Sequence, residues 1–154
     1  MNILVFSPGY PDPKRSVYPF VKQLVDEWGR QGHHCTVIAC YSITNNKSLT
    51  KFKTELSFEG GGKVIVYRPN VLTFSNLRIF GFSFTTFFRN MGIRRTLKLI
   101  KDKQDVVYCH FWESGNDGYL YTKTNDAPMF IATGESDIKK MLGNTKLLFL
   151  NKVR

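Results

Sequence analysis

The strongest constraint on how this chain folds is the alternation of short, uniformly apolar runs with a segment of helical period. Asn2–Ser7, Cys35–Tyr41, Val64–Arg68, Val106–Cys109 and Met129–Thr133 are each rich in Val, Ile, Phe, Tyr or Cys. None shows the apolar–polar alternation of a strand wet on one face. Such runs are expected of strands covered on both faces in a parallel sheet. Between the first two, Val17, Phe20, Val21, Leu24, Val25 and Trp28 recur at three- and four-residue spacing, which puts them on one helix face. Ser16 is placed to cap this helix, Pro19 falls in its first turn, and Gly29 and Gly32 mark its end. Strand, helix and strand within about forty residues make a βαβ unit, whose crossover is expected to be right-handed.

The expected fold class is therefore α/β, a Rossmann-like three-layer domain with a mainly parallel sheet. Further helices are expected over most of Phe74–Lys103, near Gly118–Lys123, and over Asp137–Leu142 and Thr145–Val153. The polar segment Ser42–Gly62 ends in three glycines and reads as a mobile excursion between strands. A phosphate cradle needs a helix after its glycines; here a strand follows, so that reading fails. At 154 residues, 42% of them hydrophobic, the chain is expected to be one domain with a real core. It lacks any run of about eighteen apolar residues, and Met1–Phe6 lacks the features of a secretory leader, so a cytoplasmic location is expected. Cys35, Cys40 and Cys109 have neither disulfide nor metal-ligand spacing and read as buried free thiols.

In an open parallel sheet, ligands bind where the carboxyl ends of the strands meet their loops. That rule selects Gly9, Tyr10, Lys14 and Arg15 after the first strand and Arg68 after the third. It selects His110, Phe111, Trp112 and Glu113 after the fourth, and Glu135, Ser136 and Asp137 after the fifth. An imidazole at such a strand end can act as a general base or hydrogen-bond a sugar hydroxyl. Phe111 and Trp112 offer flat faces on which sugar rings stack. The competing reading is a core histidine with Trp112 filling the interior. Gly9 stands alone among Pro8, Pro11 and Pro13, so the G-x-G-x-x-G fingerprint is absent and a dinucleotide cofactor is disfavoured. Neither a metal-ligand cluster nor a Ser-His-Asp arrangement can be argued from the sequence.

Three segments, in order, resemble family 4 glycosyltransferases of the GT-B fold. Asn2–Ser7, the helix that follows, and Gly32-His33-His34-Cys35-Thr36-Val37-Ile38 resemble the family's opening, with its GHxVxVI-like step into the second strand. Asp105-Val106-Val107-Tyr108-Cys109-His110-Phe111-Trp112 is similar to the family's fourth strand and its histidine. Ala127–Thr133 with Gly134-Glu135-Ser136-Asp137 resembles its xPxVxTxHGxD segment, with Glu135 where the family has a histidine. The family's glycine-rich first loop reads here Lys14-Arg15-Ser16-Val17-Tyr18. The resemblance implies an acceptor-binding domain of a retaining enzyme that moves a sugar from a nucleotide donor to a glycan acceptor, often lipid-linked, in cell-surface polysaccharide synthesis. It implies His110 and Glu135 in catalytic roles, no metal or other cofactor, and a separate carboxy-terminal domain for the donor. The chain is then expected to end before that domain and to be inactive alone. The alternative is a non-catalytic Rossmann-like module that binds an anionic ligand or partner.

A formal charge of +10 points to an anionic partner. Part of it lies in a stretch that mixes Phe74, Phe80, Phe82, Phe84, Phe87 and Phe88 with Arg78, Arg89, Arg94, Arg95, Lys98 and Lys101. Rings and cations together suit a segment lying on an anionic membrane, and Arg78, Phe84, Phe87, Phe88, Arg89, Arg94, Arg95 and Lys98 are its expected membrane-facing set. On that reading the domain is peripheral on the inner face of the membrane, each cation there contributing about 1 kcal/mol. Packing of the rings on the sheet beneath a solvated basic face is an equal alternative; single-stranded nucleic acid is a weaker one. Sedimentation with vesicles separates them: the chain is expected to pellet with anionic vesicles and to be released by salt. Equal recovery on neutral vesicles removes the electrostatic part.

Overall fold

The five apolar runs become five parallel strands, and the helices divide between the two faces of the sheet. The computed structural model describes residues 1–13, 15–44, 50–74, 78–79 and 82–133. In chain order these form β1 (Asn2–Phe6), α1 (Pro19–Arg30), β2 (His34–Ile38), β3 (Tyr41–Ser42), β4 (Lys53–Ser57) and β5 (Lys63–Tyr67). There follow β6 (Asn70–Val71), β7 (Arg78–Ile79), β8 (Phe82–Ser83), α2 (Phe84–Leu97), β9 (Val106–His110), α3 (Trp112–Thr122) and β10 (Met129–Ala132). The main sheet runs β10-β9-β1-β2-β5-β4, parallel throughout except for the antiparallel β4–β5 pair at one edge. The helices expected over Asp137–Leu142 and Thr145–Val153 lie outside the described residues, as do Lys14, Glu135, Ser136, Asp137 and the Arg78 side chain.

Period-two alternation sorts the strand residues into two cores. Ile3, Val5, Cys35, Val37, Val64 and Val66 face α1 and meet Val21 and Val25. Leu4, Phe6, Ile38, Val107 and Cys109 face the other way, onto Ile93 of α2 and Tyr121 of α3. The layers are therefore helix, sheet, helices.

Three local expectations are corrected. The helix expected from Val17 starts at Pro19: Tyr18 takes the cap position in the left-handed region (φ 51°) without a side-chain cap, so Ser16 does not serve. Pro19 at the first position loses nothing, because its missing N–H would have had no partner there. Ser42–Gly62 is not an unbroken excursion, since it contains β4, which pairs with β5 through the turn Phe58–Gly62. Gly61 adopts φ 79° in that turn. An edge strand carries one ladder only, so Lys53-Thr54-Glu55-Leu56-Ser57 can be polar, and its charges discourage pairing with another chain.

The third correction concerns α3, which spans Trp112–Thr122 rather than only its second half. Ser114-Gly115-Asn116-Asp117-Gly118 is a poor helix-forming run, yet the glycines let the helix lie close to the sheet. A Cβ on Gly118 would sit 2.4 Å from Cys109 Sγ, and one on Gly115 would sit 2.7 Å from Ile131 Cδ1. Asp117, only 4% exposed, receives Arg89 of α2: Nε donates to Oδ1 at 3.0 Å and to Oδ2 at 3.1 Å, and Nη2 donates to Oδ2 as well. Arg89, grouped by sequence with the membrane-facing residues, thus turns onto α3. Removing the carboxylate leaves a largely buried guanidinium without its counter-charge. Asp117→Ala is expected to destabilise the domain by about 3 kcal/mol or more, read from the denaturant midpoint at unchanged slope.

Candidate functional site

From β1 the strand order proceeds to β2 and β5 on one side and to β9 and β10 on the other, so the chain reverses direction across the sheet at the β1–β9 pair. The carboxyl ends of diverging neighbours open a crevice between their loops. His110 ends β9 at this place, half-buried, on the α1 side of the sheet.

Its surroundings are aromatic. Ring centroids of Phe20 and Phe111 lie 5.0 and 4.3 Å from that of the imidazole. Tyr18 joins them, 5.5 Å from Phe111 and 5.9 Å from Phe20. Tyr108, two residues before His110 and so on the same face of β9, places its hydroxyl 3.0 Å from Nδ1. That contact leaves Nε2 as the ring nitrogen for a ligand. Burial lowers the His110 pKa and raises that of Tyr108, so near neutral pH the pair is an uncharged imidazole against an uncharged phenol.

Two of these aromatic residues hold unfavourable backbone. Tyr18 has φ 51° and Phe111 φ 69°, the positive-φ residues other than glycine among those described. Such conformations cost of order 1–3 kcal/mol each and persist only where their surroundings over-determine them. Phe111 N–H donates to Ala132 O at 3.0 Å, and its own carbonyl accepts from Ser114 N–H at 3.1 Å at the start of α3. Tyr18 O accepts from Val21 N–H at 3.1 Å, starting α1. Two helix starts and one strand end thus bring Phe20, Phe111 and Tyr108 to one imidazole.

Beyond Tyr18 the crevice continues into a cavity of about 260 Å³ among the loops after β1, β2 and β5. Gly9, Tyr10, Arg15 and Arg68, all expected from sequence, line it, with Asp12, Tyr41 and Ser42. A Cβ on Gly9 would approach the Tyr18 ring at 3.1 Å, so glycine keeps the wall close. Burial lowers the pKa of Arg68, with the charge of Asp12 acting against it.

The other expected residues disperse. Trp112 opens α3 half-buried; Phe111, Phe20 and Tyr108 are the rings against His110. Glu113 is exposed in the first turn of α3, where its charge reaches Arg89. Phe84 and Phe88 pack half-buried around Phe74, with Phe87 49% exposed beside Phe88. Arg94, Arg95 and Lys98 are exposed. Burial pushes the Cys35, Cys40 and Cys109 thiols up to about 12, which suits unreactive cysteines. No helix among the described residues is long and apolar enough to cross a membrane.

Tyr108 was not singled out from sequence, although its place two residues before a strand-end histidine marks it. Phe20 carries no such mark: its helical spacing assigned it to the core, and it is 46% exposed beside His110 instead. Comparison of the chain with protein-family models gives no match, and comparison with curated proteins gives none either.

The lowered pKa of His110 makes stability depend on pH. Below its ordinary value of 6.5 the unfolded chain takes up a proton that the folded site resists, so stability falls as pH drops through that point. The loss stops once the folded imidazole also protonates. Thermal midpoints recorded between about pH 7.5 and 5.5 are expected to fall less in His110→Gln than in the parent chain.

Proposed function

We propose that this chain is the acceptor-binding half of a retaining glycosyltransferase, a Rossmann-like domain of the GT-B type. The observation that carries the reading is the half-buried, uncharged His110 at the carboxyl end of β9, held through Nδ1 by Tyr108 and walled by Phe20 and Phe111. Rings of this kind receive the apolar face of a sugar, and Nε2 hydrogen-bonds a hydroxyl of the sugar seated on them. The segments resembling family 4 glycosyltransferases lie on β1, β2, β9 and β10, whose carboxyl ends border the crevice.

On this reading a nucleotide sugar is the donor, held by a separate domain, and the acceptor is a glycan, lipid-linked, met at the inner face of a membrane in cell-surface polysaccharide synthesis. A second reading, a non-catalytic module for an anionic ligand, draws its support from Arg68 and the cavity beside it.

Saturation-transfer NMR with neutral oligosaccharides tests the first reading. Transfer to sugar ring protons is expected, with affinity lowered about tenfold, or 1.4 kcal/mol, in His110→Ala and in Phe20→Ala. Absence of transfer from every sugar, with the fold intact, overturns it.

A further inference from the structure

Arg68 follows β5 directly and is 5% exposed. A guanidinium carries five N–H donors. One Nη1 hydrogen goes to Thr54 Oγ1 of β4 at 2.9 Å, and one on Nη2 to the carbonyl of Pro11 at 2.9 Å. Nε has no hydrogen-bond partner. A buried, charged donor is costly to leave unpaired, and this one belongs to a side chain lining the 260 Å³ cavity.

Both cations that line the cavity among the described residues are pinned. Arg68 Cζ stands 5.8 Å from the Tyr10 ring centroid, and Arg15 Cζ stands 5.5 Å from that of Tyr41. Asp12 is the one carboxylate lining the cavity among the described residues, so two cations face one anion. A water molecule, with about 30 Å³ of liquid volume, would neither fill this space nor answer its charge.

We propose that the cavity is an oxyanion subsite that takes a phosphate or a carboxylate. Arg68 brings to its wall a guanidinium, whose N–H groups pair in the fork that grips two oxygens of an oxyanion, and Arg15 adds the second positive charge. Tyr18 lines this cavity and also touches Phe111, so an anion on Arg68 and a ring at His110 belong to one ligand. The acceptor is then an acidic or phosphorylated sugar. That last statement rests on the glycosyltransferase reading; the oxyanion site does not.

The test is titration of the chain with inorganic phosphate, glucose 1-phosphate, glucuronate and glucose, followed through backbone amide shifts. The three anions are expected to move amides of residues 9–12 and 39–42, and glucose to leave them in place; the tighter of phosphate and glucuronate identifies the group preferred. Arg68→Lys keeps the charge but loses the fork, and is expected to bind anions at least tenfold more weakly. Its fold is checked by circular dichroism. Arg15→Gln leaves the Arg68 hydrogen bonds in place and is expected to weaken anions at least threefold, so it decides the matter if Arg68→Lys fails to fold. Anion binding that is unchanged in both variants, or confined to the exposed cations Arg94, Lys98 and Lys101, overturns the inference. Glucose shifts around His110 without anion shifts around Arg68 overturn it too, while leaving the glycan reading standing. Anion shifts with no shift around His110 from glucose, glucose 1-phosphate or glucuronate support the subsite and remove the glycosyltransferase reading.

Discussion

Burial of β1 on both faces is the constraint from which the other elements take their places. Leu4, Val5 and Phe6 are fully buried, and side chains of this kind each contribute roughly 1.5–3 kcal/mol when taken from water. A strand so covered needs a neighbour along each edge and a helix above and below. β2 and β9 fill the edges, pairing from Asn2–Phe6 to His34–Ile38 and from Ile3–Phe6 to Val106–Cys109. α1 covers Ile3 and Val5, while α2 and α3 cover Leu4 and Phe6. The same requirement creates the crevice, because both neighbours run parallel to β1 and their following segments lead away from each other at its carboxyl end.

Stability and function meet at that end. The backbone of Tyr18 and Phe111 is held against its preference by hydrogen bonds that also begin α1 and α3. Phe111 is therefore supported by regular structure on both sides, β9 before it and α3 after, and Tyr18 by the helix that follows it. His110 is exposed enough for a ligand and buried enough to remain neutral, a combination the aromatic wall supplies. Arg68 lies deeper, where burial and stacking on Tyr10 fix its orientation before any ligand arrives.

What the sequence could convey follows from how each feature is encoded. The five parallel strands were legible because burial on both faces writes itself as continuous apolar runs. β4 was not, because an edge strand half in water is free to be polar. α3 was legible only in its second half, since glycines that serve close packing read locally as helix breakers. Arg89 and Asp117 are 28 residues apart and carry no local sign of their pairing. At the site, His110, Gly9, Tyr10, Arg15 and Arg68 followed from the strand-end rule, whereas the role of Phe20 depends on how α1 is rotated against β9. Of the two rings expected beside the histidine, Phe111 packs on it, and the other ring from outside β9 is Phe20, whose spacing looked like core.

The edge hairpin has a place in this arrangement beyond closing the sheet. Thr54, in its outermost strand, holds Nη1 of Arg68, and the Arg68 amide donates to the carbonyl of Phe52 just before that strand. An edge strand hydrogen-bonded along one side only is among the first segments to open in thermal fluctuations. When β4 lifts away, the guanidinium loses an anchor and gains solvent in the same event. The cavity's preference for charge is thus coupled to the breathing of the margin of the sheet, and whatever steadies that margin also sharpens the cavity.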